Sequence, residues 1–305
     1  MHSEALALIY LALSKWATYL GLIGLTGALV VRRLVMVSGR WPLNGAAVLD
    51  RTLLSLATYA AGILAVAAIA RLYAQTYSVF GLDEPVTVEL LHVVGGESRW
   101  GNRWQPQAGF ALLALVSAVT SWWRPRSGWC VVTVSMVMLW LTLPLTGHAM
   151  TFTSAVPWGL QVGHGLAVGL WIGTIIGILV VVNSLATTGT GHQCFADLVQ
   201  RFSLLAVVAA PVVVVTGVLT AWFYLDTVSQ LWTTTYGITL LIKLGLMFVT
   251  GVLGAYNWRR VTPKLGNETG TRILVRTASV EVGFALLVLG VTAVLIHLAM
   301  PHELE

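Results

Sequence analysis

The stretch WGLQVGHGLAVGLWIGTIIGILVVV (158–182) decides the fold. It carries no Asp, Glu, Lys or Arg, and His164 is its one ionisable side chain. At 1.5 Å per residue a helix of this length is about 37 Å long, enough to cross the ~30 Å hydrocarbon layer of a bilayer. Seven further apolar runs, at roughly 5–31, 52–73, 107–123, 128–146, 202–223, 236–257 and 277–299, repeat the pattern along the chain. The expected architecture is an all-α, polytopic bundle of eight transmembrane helices, one membrane domain over 1–305 with no soluble domain.

Composition agrees. Of the 305 residues, 57% are hydrophobic and 10% charged, with a mean hydropathy of +0.83. A soluble domain has about 25% charged residues. These figures exclude a secreted disulfide scaffold, a disordered chain and a soluble nucleic-acid binder, and Cys130 and Cys194 are too few for a disulfide framework. The net charge of +5 therefore reports topology and not affinity for nucleic acid. The first run is too long for a removable signal peptide and is interrupted by Lys15, so it is expected to remain as a span.

Charge in the connections sets the direction. Arg32, Arg33, Arg40, Arg51, Arg124, Arg126, Arg201, Arg259, Arg260, Lys264, Arg272 and Arg276 fall on one side. The other side carries Arg99 and Arg103 against Asp83, Glu84, Glu89, Glu97 and Asp226. The positive-inside bias places the first group in the cytoplasm and both termini in the periplasm. The halves also resemble each other. Arg51 opens RTLLSLATYAAGILAVAAIA (51–70) as Arg201 opens RFSLLAVVAAPVVVVTGVLT (201–220). Two parallel four-helix repeats, 1–148 and 149–305, would account for this, although any two apolar helices share such features. In the outer loop, VTVELLHVV (86–94) reads as a short helix.

Six of the seven histidines gather at the expected outer face: His2, His92, His148, His164, His297 and His302, with His192 alone inside. Two exits pair an imidazole with a thioether, His148-Ala-Met150 and His297-Leu-Ala-Met300-Pro-His302. Imidazole suits copper in either valence and thioether sulfur favours Cu(I). The outer acids would concentrate cations there. Singly, each residue is better explained as an interfacial or core side chain; together, His148 and His164 are the first choice for a metal site. An ionisable group at the depth of His164 needs a partner or water. Gly165, Gly169, Gly173 and Gly177 form a stripe beside it, which close helix packing explains. Lys15 and Glu281 lie near span ends and are expected to snorkel, whereas Lys243 is deeper and a candidate for gating.

The blocks GHAMTFTSAVPWGLQVGHGLAVGLWIGT (147–174), RFSLLAVVAAPVVVVTGVLTA (201–221), TTYGITLLIKLGL (234–246), GAYNWRRVTPKL (254–265) and Arg276 to Glu281 resemble the copper resistance protein D (CopD) family. SRWGNRW (98–104) is a weaker match. The resemblance implies an eight-span inner-membrane protein that moves copper between periplasm and cytoplasm. It also implies a periplasmic copper-binding partner of the CopC type, expected here as a separate polypeptide. By that resemblance His148, His164, Trp171, Gly173, Tyr236, Gly237, Lys243, Asn257, Arg276 and Glu281 are carried over as site or pathway positions. The sequence reading is a copper-ion permease and not an enzyme, with Met150, His297, Met300 and His302 as further ligands. No Gly-rich phosphate loop for nucleotide hydrolysis is present. Two other readings stay open: a haem b electron carrier with His164 and His297 as axial ligands, and a non-transporting subunit of a larger membrane complex.

Overall fold

A computed structural model describes residues 2–38, 43–81, 84–147, 153–185 and 191–299. The chain opens with an antiparallel pair, α1 (His2–Ser38) and α2 (Leu43–Phe80). At one end Tyr10 packs edge-on against Tyr73 and Tyr77. Midway, Gly21 sits against Ala60 and Leu64, and at the other end Arg32 Nε pairs with Asp50 Oδ1 at 2.6 Å. A short helix α3 (Val88–His92) follows, capped by the Thr87 hydroxyl, and runs into a π-turn at Val93–Glu97. The expected loop helix is therefore present. Glu89, in its first turn, is held below the usual carboxyl range by its own backbone N–H and by Thr87.

Helix α4 (Arg99–Thr120) is capped by the Ser98 hydroxyl, which accepts from the Gly101 N–H, and packs along α2 and α5 (Pro125–Thr142). The next span combines α6 (Val156–Val168), a π-turn at Gly169–Gly173 and α7 (Thr174–Leu185). Then come α8 (Gly191–Tyr224), the single turn α9 (Gln230–Thr233), α10 (Thr235–Tyr256) and α11 (Glu268–Leu295). A second span ends in a π-turn, Asn257–Val261 after α10.

Among the described residues seven helices are long and apolar enough to cross a bilayer. The eighth expected span coincides with α4, whose first turns, RWGNRWQPQ, dilute its apolar character. Large apolar side chains point outward from the bundle, with Val208 66%, Phe248 74% and Trp222 82% exposed. In water such faces would be a liability; against lipid tails they cost nothing. The fold is an all-α polytopic membrane bundle.

Helix α1 is its spine. It touches α2, α5, α7, α8 and α11. The glycine stripe is what lets it approach: Gly165 and Gly169 receive the Trp140 ring, Gly173 lies on the α1 backbone at Ile23 and Gly27, and Gly177 meets Gly27 and Val31. Trp140 donates its indole N–H to Thr26 Oγ1 at 3.1 Å, closing the seam. The stripe is a packing surface, filled along its length.

Two expectations about charge are corrected. Lys15 and Glu281 do not snorkel; they are 4% and 2% exposed. Apolar runs mark only the hydrocarbon part of a helix. Here α11 begins at Glu268, nine residues before the run at 277, so Glu281 lies halfway along the helix. Lys15, on α1, is enclosed within the bundle, its ammonium 5.8 Å from the Tyr19 ring centroid.

Candidate functional site

Helix α6 presents His164 toward α8. Its Nδ1 is 3.0 Å from Thr216 Oγ1, and the Thr216 hydroxyl proton is directed to the Val212 carbonyl at 2.5 Å, one turn back in α8. With that proton committed, the hydroxyl accepts and Nδ1–H donates. This fixes the ring and leaves Nε2 with the lone pair. Gly217 lies under the imidazole, so a methyl group there would stand 3.4 Å from Cε1. Lys243 on α10 is half-buried and close enough to act on His164 through space. One turn outward of His164, Gln161 donates to the Tyr224 hydroxyl at 2.5 Å, and Tyr224 packs edge-on against the buried Tyr236 with centroids 6.5 Å apart. Polar groups thus recur along α6, α8 and α10, from Tyr236 through Tyr224 and Gln161 to His164 and Lys243, as a track of residues.

A second polar centre lies deeper. Glu281 Oε1 accepts from the Trp171 indole N–H at 3.2 Å, and Oε2 accepts from the Asn257 amide at 2.8 Å. Trp171 is 6% exposed and sits in the π-turn of its span, and Asn257, also 6% exposed, opens the other. Gly254 makes room: a Cβ there would stand 2.9 Å from Oε1.

Of the sequence-selected residues, the structure thus brings Trp171, Asn257 and Glu281 into one cluster, and His164 and Lys243 into another. Gly173 is packed on α1 and faces neither. His148, Met150, Met300 and His302 lie outside the described residues. Among the described residues no three His, Cys, Asp or Glu side chains converge as a metal cage. The Trp171–Glu281 bond also sets the antiparallel register of α6–α7 with α11. His164 is seven residues from Trp171, and His297 is sixteen from Glu281. His297 therefore sits about nine residues, or roughly 13 Å, further out than His164. That register does not pair the two as facing axial ligands.

Sequence reasoning missed three partners. Arg71 is 6% exposed and donates to Gln107 Oε1 at 2.5 Å and to Thr146 Oγ1 at 2.7 Å, with Trp100 stacked 5.9 Å away. An arginine at the edge of an apolar run was a usable signal. Thr216 and Gln107 gave none, because a lone hydroxyl or amide in a span is ordinary.

Comparison with known proteins gives the following. Residues 5–158 match the copper resistance protein D-like N-terminal domain, and residues 196–295 match copper resistance protein D. The copper transport protein CutJ of Bacillus subtilis is 27% identical over 212 residues, covering 68% of this chain and 38% of CutJ. The chain thus spans well under half the length of that relative. No solved structure matches.

Proposed function

Since this chain belongs to the copper resistance protein D family, we propose that it carries copper ions across the bacterial inner membrane, taking them up at its periplasmic face. The observation that carries this reading is the orientation of His164. Its Nδ1–H is held by Thr216, which leaves the lone pair of Nε2 for an ion, with Lys243 near enough to act on the ring. Imidazoles that bind metals are commonly fixed this way through the other ring nitrogen.

His148, with Met150, is the proposed partner ligand, and Met300, His297 and His302 collect the ion further out together with the outer acids. Lys243 opposes a positive ion next to His164. A transported ion must be held weakly enough to leave, and a fixed positive charge beside the ligand serves that need. The route follows the polar track, since Trp140 and α1 fill the glycine stripe. Tyr236 stands at its entrance. Trp171 and Glu281 lie inward of His164, where they act on passage as pathway or gating groups. The copper resistance protein D name and the likeness to a copper transport protein support copper as the cargo. A separate CopC-like periplasmic protein is the proposed donor, and both termini are proposed to face it.

The test is cellular copper content on expression in the presence of added copper. The parent raises it, whereas His148→Ala/His164→Ala returns it to the level of the empty vector. Equal accumulation by parent and double variant overturns the site. A Soret band in the purified protein would instead support the haem reading.

A further inference from the structure

The carboxyl of Glu281 is buried, central in its helix and free of cationic partners among the described residues. Both of its hydrogen bonds come from neutral N–H groups. The surrounding charges point elsewhere. On α11, Arg272 and Arg276 are exposed, as are Arg259, Arg260 and Lys264 after α10. Lys243 is fourteen residues before Asn257 on α10, about 21 Å toward the outer end. On α1, Lys15 belongs with Tyr19 and Arg32 with Asp50. On α8, Arg201 pairs with Asp197, and His192 is near Thr271. Helix α7, Thr174–Leu185, has no titratable side chain. Trp171 and Asn257 are the groups that act on the carboxyl.

A second observation concerns Asn257. Its amide nitrogen serves Glu281, but its Oδ1 is buried with no hydrogen-bond partner. An orphaned buried acceptor calls for an explanation. Turning the amide over would place Oδ1 against Glu281 Oε2, where it can accept from a carboxylic O–H. The site therefore holds partners for both forms of the group: two N–H donors for the carboxylate, and a waiting carbonyl oxygen for the acid. Both donors stand on π-turns, which are frequent at functional sites.

We infer that Glu281 is a proton-exchange site within the membrane: a proton adds to Oε2, the carboxylate becomes the acid, and the Asn257 amide turns to accept from it. Release of the proton restores the arrangement described above. Removing a buried charge in this way relieves the cost of holding it away from water. The wide turns of two separate spans then follow the state of one carboxyl. This inference goes beyond the copper reading and stands without it.

The experiment uses the full chain in lipid nanodiscs without copper, recording infrared difference spectra between pH 5 and 9. The expected result is a protonated-carboxyl C=O band that changes with pH and is lost in Glu281→Gln, together with a pH-dependent tryptophan emission lost in the same variant. Identical difference spectra for parent and Glu281→Gln overturn the proposal. Should Glu281→Gln not fold, Trp171→Phe keeps the carboxyl and removes an N–H donor that binds the carboxylate more strongly than it binds the carbonyl oxygen of the acid. It should raise the ratio of acid to carboxylate about tenfold at a given pH; an unchanged ratio also overturns the proposal.

Discussion

Gly27 and Gly173 face each other so closely that a methyl group on Gly27 would collide with the Gly173 carbonyl. The contact joins α1 to the π-turn that carries Trp171, so the glycine seam positions the deeper polar centre as well as the helices. Gly27→Ala should lower thermal stability in detergent by about 1–3 kcal/mol or more, the usual cost of overpacking. Gly62→Ala, where nothing lies within 4 Å, is the matched control. It should be neutral or stabilise by about 0.5–1 kcal/mol, because alanine is the better helix former.

Thr216 is the positioning partner of His164. Thr216→Val keeps the shape and removes the acceptor, which frees the imidazole to turn. On the proposed reading copper affinity at His164 falls about 10–100-fold, the range for residues that orient a metal-binding histidine. Titration of the purified protein with a competing copper chelator reads it. Unchanged affinity would mean that the Thr216 bond has no part in holding the metal.

Arg71 is a buried cation whose charge is met by the Gln107 carbonyl oxygen and the Thr146 hydroxyl. Gln107→Leu leaves the guanidinium short of an acceptor. The expected loss is about 1.5–3 kcal/mol, the range for a hydrogen bond to a charged group. Thermal unfolding in detergent measures it, and a change below about 0.5 kcal/mol would show that water replaces the amide.

At Gly254 the test is steric. Gly254→Ala places a Cβ 2.9 Å from Glu281 Oε1 and 3.3 Å from the Trp171 ring, so the carboxyl must shift against the indole and disturb the Trp171–Glu281 bond. The tryptophan emission of the variant should shift relative to the parent, and that shift should be absent when Trp171 is already Phe.

Much of this architecture was legible in the sequence, for a physical reason. Lipid demands long uninterrupted apolar helices, so 158–182 and its counterparts announce themselves. What failed was the depth of single charges. Hydropathy falls where Arg276 and Arg272 begin, which makes Glu281 look like a snorkelling residue, yet the helix runs on through that stretch to Glu268. The π-turns were also invisible, since no residue type marks them. His164 was legible as an isolated imidazole in an apolar run, but Thr216, which orients it, lies 52 residues away on another helix. Pairings of that kind are set by helix packing, which periodicity does not encode.

The spine formed by α1 has a mechanical consequence. This helix opens the N-terminal portion of the chain, but it is wedged against α7 and α11 of the C-terminal portion. If the bundle alternates between inward-open and outward-open shapes, the two portions cannot rock past each other as separate rigid bodies. Any pivot must lie elsewhere, and α8 and α10, with broad faces turned to lipid, are the elements least held by that fixed axle.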